Sequence, residues 1–189
     1  MADSRSMTDR MVRAAKLEVD LYEEVEADTT ANGQALAVVV IVSLIAGIGG
    51  GISGLLTEDE GALYFLWGLL IGMGSSIIGW LLWALVTYVV GVTLFKTEET
   101  EADYGQLLRT LGFATTPGIL AFFIFIPILG GLLALIGFIW KLVAGVIAVR
   151  QALDFSTERA IGTCIVGLIP FLLLNILLTI FIIGGSFWY

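Results

Sequence analysis

The fold is decided by one uncharged stretch, TLGFATTPGILAFFIFIPILGGLLALIGFIW (Thr110–Trp140). Only Lys141 separates this stretch from the apolar residues Leu142–Val149, so 40 consecutive residues carry a single charge. A helix needs about 20 apolar residues to cross the hydrocarbon of a bilayer. The stretch is therefore long enough for two spans. The proline and paired glycines of IPILGG (Ile126–Gly131) predict the turn that joins them.

Composition extends this conclusion to the whole chain. Of its 189 residues, 58% are hydrophobic and 14% are charged, and the mean hydropathy is +0.99. A soluble domain carries about 25% charged residues. Three further uncharged runs each have room for one helix, namely Thr29–Thr57, Gly61–Phe95 and Ala160–Tyr189. The sequence therefore predicts an all-α polytopic membrane protein with five transmembrane helices.

The basic residues indicate the orientation, because cytoplasmic loops of membrane proteins carry an excess of Lys and Arg. With five spans, one side of the membrane receives eight basic residues: Arg5, Arg10, Arg13, Lys16, Lys96, Arg109, Arg150 and Arg159. The other side receives none, since the loop Thr57–Gly61, the turn Ile126–Gly131 and the C-terminus lack them. We therefore expect a cytoplasmic N-terminus and a C-terminus on the outer side.

The first 33 residues are polar and precede the membrane domain, which we assign to residues 34–189. Within them, apolar residues recur at intervals of three or four, the period of a helix, at Met7, Met11, Ala14, Leu17, Leu21 and Val25. This pattern predicts a cytoplasmic amphipathic helix. It either lies on the membrane surface or binds a partner, or it packs under the bundle, because amphipathicity alone does not identify the surface that it covers.

The sequence gives no support to enzymatic or nucleic-acid functions. The chain has no histidine, the commonest metal ligand and general base. It also lacks the H-E-x-x-H, Walker and G-x-S-x-G motifs. The net charge of −8 argues against a nucleic-acid surface, and the single Cys164 cannot form an internal disulfide. We predict a non-enzymatic protein without cofactor, metal site or nucleic-acid partner.

Small residues recur along the first two spans. The segment AGIGGGISG (Ala46–Gly54) contains two G-x-x-x-G pairs, and Gly68 and Gly72 form another. Such faces let helices approach closely in lipid. They predict either a homo-oligomer that forms through the glycine faces or close packing inside one bundle.

Lys141 is a charge within an apolar span, and no span contains an acidic residue to pair with it. Intramembrane charges are rare and usually face the bundle or a wet cavity, where Asn175 of the last span is a candidate partner. The alternative is that the long side chain extends its ammonium group toward the membrane interface. Lys141 and Asn175 are thus the candidate functional residues within the spans.

Four short motifs follow one another between residues 95 and 180: Y-x-x-L-L-R, G-F-x-x-x-P, G-x-I-W and S-T-x-R-A. Their principal residues are Tyr104, Arg109, Gly112, Phe113, Pro117, Trp140, Ser156 and Arg159. In this order they resemble the Yip family, the Ypt/Rab-interacting membrane proteins. Within the G-F-x-x-x-P motif, Pro117 either opens the helix of the third span or bends it.

The resemblance implies a five-span domain that acts as a non-enzymatic scaffold or adaptor, organising partner proteins or lipid. The short N-terminal region is similar to that of prokaryotic members, which implies the plasma membrane; endoplasmic reticulum or Golgi membranes are the alternative. Two other functions stay open. One is a small transporter or lipid-handling protein that uses Lys141, and the other is an accessory subunit of a larger membrane complex.

Overall fold

The computed structural model describes residues 6–57, 62–98, 100 and 103–186, apart from the side chains of Thr57, Tyr64, Asn175 and residues 178–186. The loop 58–61, the C-terminal residues 187–189 and the side chain of the candidate Asn175 therefore lie outside the described part. Every regular element in the described part is helical. The described helices provide four candidate membrane crossings, or five if one bent pair of helices counts as a single span. The predicted all-α polytopic fold is confirmed.

The N-terminal segment forms two short helices, α1 (Met7–Ala15) and α2 (Val19–Ala27), so the prediction of one continuous helix is wrong. The chain reverses at Leu17, whose φ of 61° lies in the left-handed region that few non-glycine residues adopt. Tyr22 is fully buried, and its hydroxyl donates to the Ala14 carbonyl at 3.4 Å across the hairpin. The break lets both apolar faces enter the same core, which one straight helix could not do.

Among the residues that the structure describes, four long helices are apolar enough to cross a membrane. They are α3 (Asn32–Thr57), α4 (Ala62–Val90), α6 (Leu129–Ala152) and α7 (Thr157–Ser186). A 3-10 turn (Thr29–Ala31) leads into α3, and a π-helical turn (Gly91–Phe95) extends α4.

The remaining candidate crossing is a bent pair of helices, which is long and apolar enough to cross the membrane as one broken span. It consists of α5 (Tyr104–Ala114) and a 3-10 helix (Thr116–Phe125), which meet at an angle of 40°. The chain then turns at Ile126–Ile128 and enters α6 at Leu129, so the predicted reversal is present. Pro117 is the second residue of the 3-10 helix.

The broken span lies at the centre of the bundle. The 3-10 helix packs between α3 and α6, whereas α5 contacts α3, α4, α6 and both N-terminal helices. Close approach depends on glycines, since a Cβ at Gly112 would lie 2.7 Å from the Cβ of Ala35, and one at Gly137 would lie 2.9 Å from the Pro117 carbonyl oxygen. The N-terminal helices and the bundle share one hydrophobic core, which includes Ala14, Leu21, Val25, Ala35, Val38, Leu107, Phe113, Ala144 and Ala148.

The glycine-rich faces of α3 and α4 are partly used inside the bundle. Gly51 packs against the Phe65 ring and Gly49 against the Phe122 carbonyl, as the prediction of internal packing requires. In contrast, a Cβ added at Gly50, Gly68 or Gly72 would meet no atom within 4 Å in the described part of the chain.

Candidate functional site

Helices α1 and α2, which we call the cap, are bound to the bundle through the buried side chain of Arg109. This residue of α5 is 3% exposed. Its Nε donates to the Val25 carbonyl at 2.9 Å, its Nη2 donates to the Glu26 carbonyl, and its Nη1 donates to Asn32 Oδ1 at 3.4 Å. The last carbonyls of a helix lack intrahelical partners and carry partial negative charge. Arg109 therefore supplies both the donors and the charge that the end of α2 requires.

Arg10 makes a second buried connection, between α1, α2 and α3. It is 1% exposed and donates to Glu24 at 3.0 Å, Asp28 at 2.8 Å and Gln34 at 2.9 Å. Hydrogen bonds from the Thr30 hydroxyl and from Arg10 lower the pKa of Asp28 to about 2. Burial opposes ionisation of Glu24, but hydrogen bonds from Arg13 and Arg10 outweigh it and lower the pKa of that carboxyl.

A third set of contacts joins α2 to the ends of α5 and α6. Gln106 Nε2 donates to Glu26 Oε1 at 3.0 Å, and Gln151 Nε2 donates to Glu23 Oε1 at 2.8 Å. Glu26 is half-buried. Burial, followed by the nearby Asp154 carboxylate, raises the pKa of Glu26 to about 7. This contact is therefore the part of the cap whose charge changes near neutral pH.

Five of the eight predicted motif residues lie together on the broken span. Tyr104 donates its hydroxyl to the Leu81 carbonyl at 2.9 Å, and Phe113 is fully buried. With Arg109, Gly112 and Pro117, these residues fix α5 and the 3-10 helix against their neighbours. Their shared role in the structure is packing and positioning.

The bend itself is stabilised by the two threonines that precede Pro117. Proline has no N–H to give to the carbonyl four residues earlier, which is that of Phe113. The Thr116 hydroxyl donates to this carbonyl at 2.7 Å, and the Thr115 hydroxyl donates to the Gly112 carbonyl at 2.7 Å. The sequence Thr-Thr-Pro thus interrupts the helix and satisfies the carbonyls that the interruption leaves.

The other three motif residues lie elsewhere. Trp140 lines an apolar groove of about 320 Å³ with Leu17, Ile136, Ile139 and Val143. Ser156 and Arg159 are exposed at the start of α7. The structure therefore does not bring Trp140, Ser156 and Arg159 into the cluster around Arg109.

Lys141 lies on the exposed surface of α6 and makes no hydrogen bond or ion pair with the described residues. This placement agrees with a lysine that faces lipid and extends toward an interface.

Sequence reasoning missed Arg10, Gln34, Glu26 and Gln106. One signal could have revealed Arg10, because it follows Met7 by three residues and precedes Ala14 by four. A charge at helical spacing on an apolar face requires a buried partner. Its partners are 14 to 24 residues away, so the sequence alone could not identify them.

These features define an all-helical, polytopic membrane protein whose bundle is covered at one end by an N-terminal helical cap. The Yip1 domain matches residues 19–181, and the chain belongs to this family. The resemblance seen in the motifs is confirmed. The match begins at the first residue of α2, so it includes the end of the cap that binds Arg109. Searches of curated proteins and of solved structures found no match.

Proposed function

We propose that this protein is a non-enzymatic membrane scaffold or adaptor of the Yip1 domain family. It organises partner proteins or lipid, with the cap on the cytoplasmic side of the plasma membrane. The observation that supports this proposal is the fixed position of the cap, which Arg10 and Arg109 bind to the bundle from inside. A preorganised surface loses less conformational entropy when it binds a partner.

The outer surface of the cap has a defined chemical character. Asp20 and Glu23 of α2 are exposed, whereas Arg10 and Arg13 are engaged with carboxylates of the cap itself. This surface is acidic, and a basic segment of a partner protein is its electrostatic complement.

The membrane-embedded surface supports association with further helices. The open positions at Gly50, Gly68 and Gly72 would admit a closely packed helix from a second copy or from a larger complex. Lipid handling is the second candidate function. A lysine whose ammonium group extends toward the interface can bind an anionic lipid headgroup, and the exposed position of Lys141 allows this contact.

The scaffold proposal is tested with the double substitution Asp20→Asn/Glu23→Gln, which removes two charges and keeps the side-chain oxygens. Glu158→Gln is the matched control, because Glu158 is an exposed carboxylate at the start of α7. Each chain is purified from its native membrane in mild detergent, and the bound proteins and lipids are identified and quantified.

We expect wild type and the control to retain a partner at fixed stoichiometry and the double variant to lose it. The proposal is overturned if all three chains are recovered alone. It is also overturned if the purified protein carries a solute flux into proteoliposomes that Lys141→Met abolishes.

A further inference from the structure

We propose that the cap is a proton-dependent contact, in which a neutral Glu26 carboxyl keeps the end of α2 packed on α5 and α6 and an ionised one loosens it. This inference is independent of the partner that the scaffold binds. It concerns how firmly the cap is held.

The geometry around Glu26 brings several acidic groups together. Its carboxyl accepts a hydrogen bond from the neutral amide of Gln106 on α5. Glu23 lies one turn earlier on α2 and is held by Gln151 of α6, and Asp154 follows α6 closely enough to raise the proton affinity of Glu26. Asp103 lies at the start of α5, beside Gly105 and near the guanidinium of Arg109.

The basic groups nearby do not form an ion pair with Glu26. Arg109 is the cation that faces it in the described part of the chain, and it donates to the carbonyls of Val25 and Glu26 and to Asn32. Arg10 and Arg13 donate to other carboxylates of the cap, namely Glu18, Glu24 and Asp28. Ionisation of Glu26 would therefore place a further negative charge in a half-buried acidic cluster, which opposes docking.

The pKa of Glu26 gives the direction of the effect. Burial and Asp154 raise it from 4.5 to about 7 when the cap is docked, and the nearby guanidinium of Arg109 opposes this rise only in part. A raised pKa means that the docked state holds a proton that the released state gives up. The contribution of Glu26 to docking is therefore largest below pH 4.5, falls as the pH rises toward 7, and changes little above that value.

Amide hydrogen exchange of the full chain in phosphatidylcholine nanodiscs tests this proposal at pH 5.5 and pH 7.5. Rates are corrected for the intrinsic effect of pH, and a peptide from within α6 reports global stability. We expect the α2 amides of wild type to be about 20-fold better protected at pH 5.5 than at pH 7.5. Glu26→Gln, which keeps the acceptor for Gln106 but cannot ionise, should be equally protected at both pH values.

Asp20→Asn removes an exposed carboxylate from the same helix and should keep the wild-type pH dependence. The proposal is overturned if wild type shows no pH dependence, if Glu26→Gln retains it, or if Asp20→Asn loses it. Asp154→Asn gives a check that does not alter Glu26. Removing this neighbouring charge should lower the pH at which half of the pH-dependent protection of α2 is lost, compared with wild type. An unchanged midpoint contradicts the proposal.

Discussion

Arg10 and Arg109 stabilise the cap through the same chemical group but through different acceptors. Arg10 faces two carboxylates and an amide, whereas Arg109 faces two main-chain carbonyls and an amide. A guanidinium presents five N–H donors in a planar fork, so one buried side chain can satisfy several oxygens from different elements. A lysine ammonium at either position could not reach all of these acceptors at once.

We expect Arg109→Lys to destabilise the protein by about 2–4 kcal/mol, because carbonyl oxygens at the end of α2 would lose their donors while a charge stays buried. Unfolding in one detergent, followed by circular dichroism, measures the change. Arg159→Lys is the control, since Arg159 is exposed and should change stability by less than about 0.5 kcal/mol. Equal losses for both variants would contradict the structural role assigned to Arg109.

Lys141→Met should fold normally and be as stable as wild type or slightly more so, because an exposed charge leaves an apolar span and the volume of the side chain is kept. Stability is compared with wild type in the same lipid, and native mass spectrometry measures retained anionic lipid. Lys16→Met, which removes an exposed cation outside the spans, is the control. Loss of lipid from the Lys141 variant alone is the outcome that lipid handling requires, and unchanged retention would argue against it.

At the scale of elements, the broken third span connects the cap to the bundle. Its first part, α5, contacts both cap helices, and its second part packs between α3 and α6. The 40° bend lets the first part contact the cap while the second part packs between α3 and α6, and a continuous straight α-helix would lack this bend. The bend occurs where Thr115, Thr116 and Pro117 interrupt the pattern of main-chain hydrogen bonds.

Thr116→Val should cost about 1–2 kcal/mol of stability, because valine matches the shape of threonine but leaves the Phe113 carbonyl without the hydroxyl that replaces the missing proline N–H. Thermal unfolding in matched detergent gives the difference. Thr93→Val is the control, because Thr93 is exposed and its hydroxyl donates to the Val89 carbonyl. This change should leave the stability nearly unaltered. A Thr116 variant as stable as the Thr93 variant would show that the bend does not depend on this hydroxyl.

At the scale of the whole molecule, the sequence predicted the spans better than it predicted the cap. Uncharged length determines where a helix can cross a membrane, and this property is local. The cap instead depends on the left-handed backbone at Leu17 and on Arg109, which binds Val25 across 84 residues of sequence. Helical periodicity continues through Leu17 unchanged, so it could not reveal the reversal. The exposure of Lys141 depends on how the helices pack, which hydropathy does not specify.

Reporter fusions test the arrangement across the membrane. Fusions at Met1, Thr100 and Phe155 should report the cytoplasm, and those at Asp59 and Tyr189 the outer side, because all basic loops then share one side. Two enzymatic reporters are fused at each site, one that is active only in the cytoplasm and one that is active only on the outer side, so that each result controls the other. A cytoplasmic C-terminus would contradict five crossings and would mean that α5 and the 3-10 helix enter and leave on one side.

The contact between Arg109 and α2 also sets an order of events during synthesis. The cap is made before the bundle. The arginine that binds the end of the cap is made 84 residues after Val25, and the glutamine that binds Glu23 is made 128 residues after that glutamate. At about 5–20 residues per second, the first interval alone lasts about 4–17 s. During that time α5 and α6, the two helices on which α2 packs, have not been completed. The end of α2 can therefore dock only after α5 has been made, whereas the contact of Arg10 with Gln34 of α3 can form earlier.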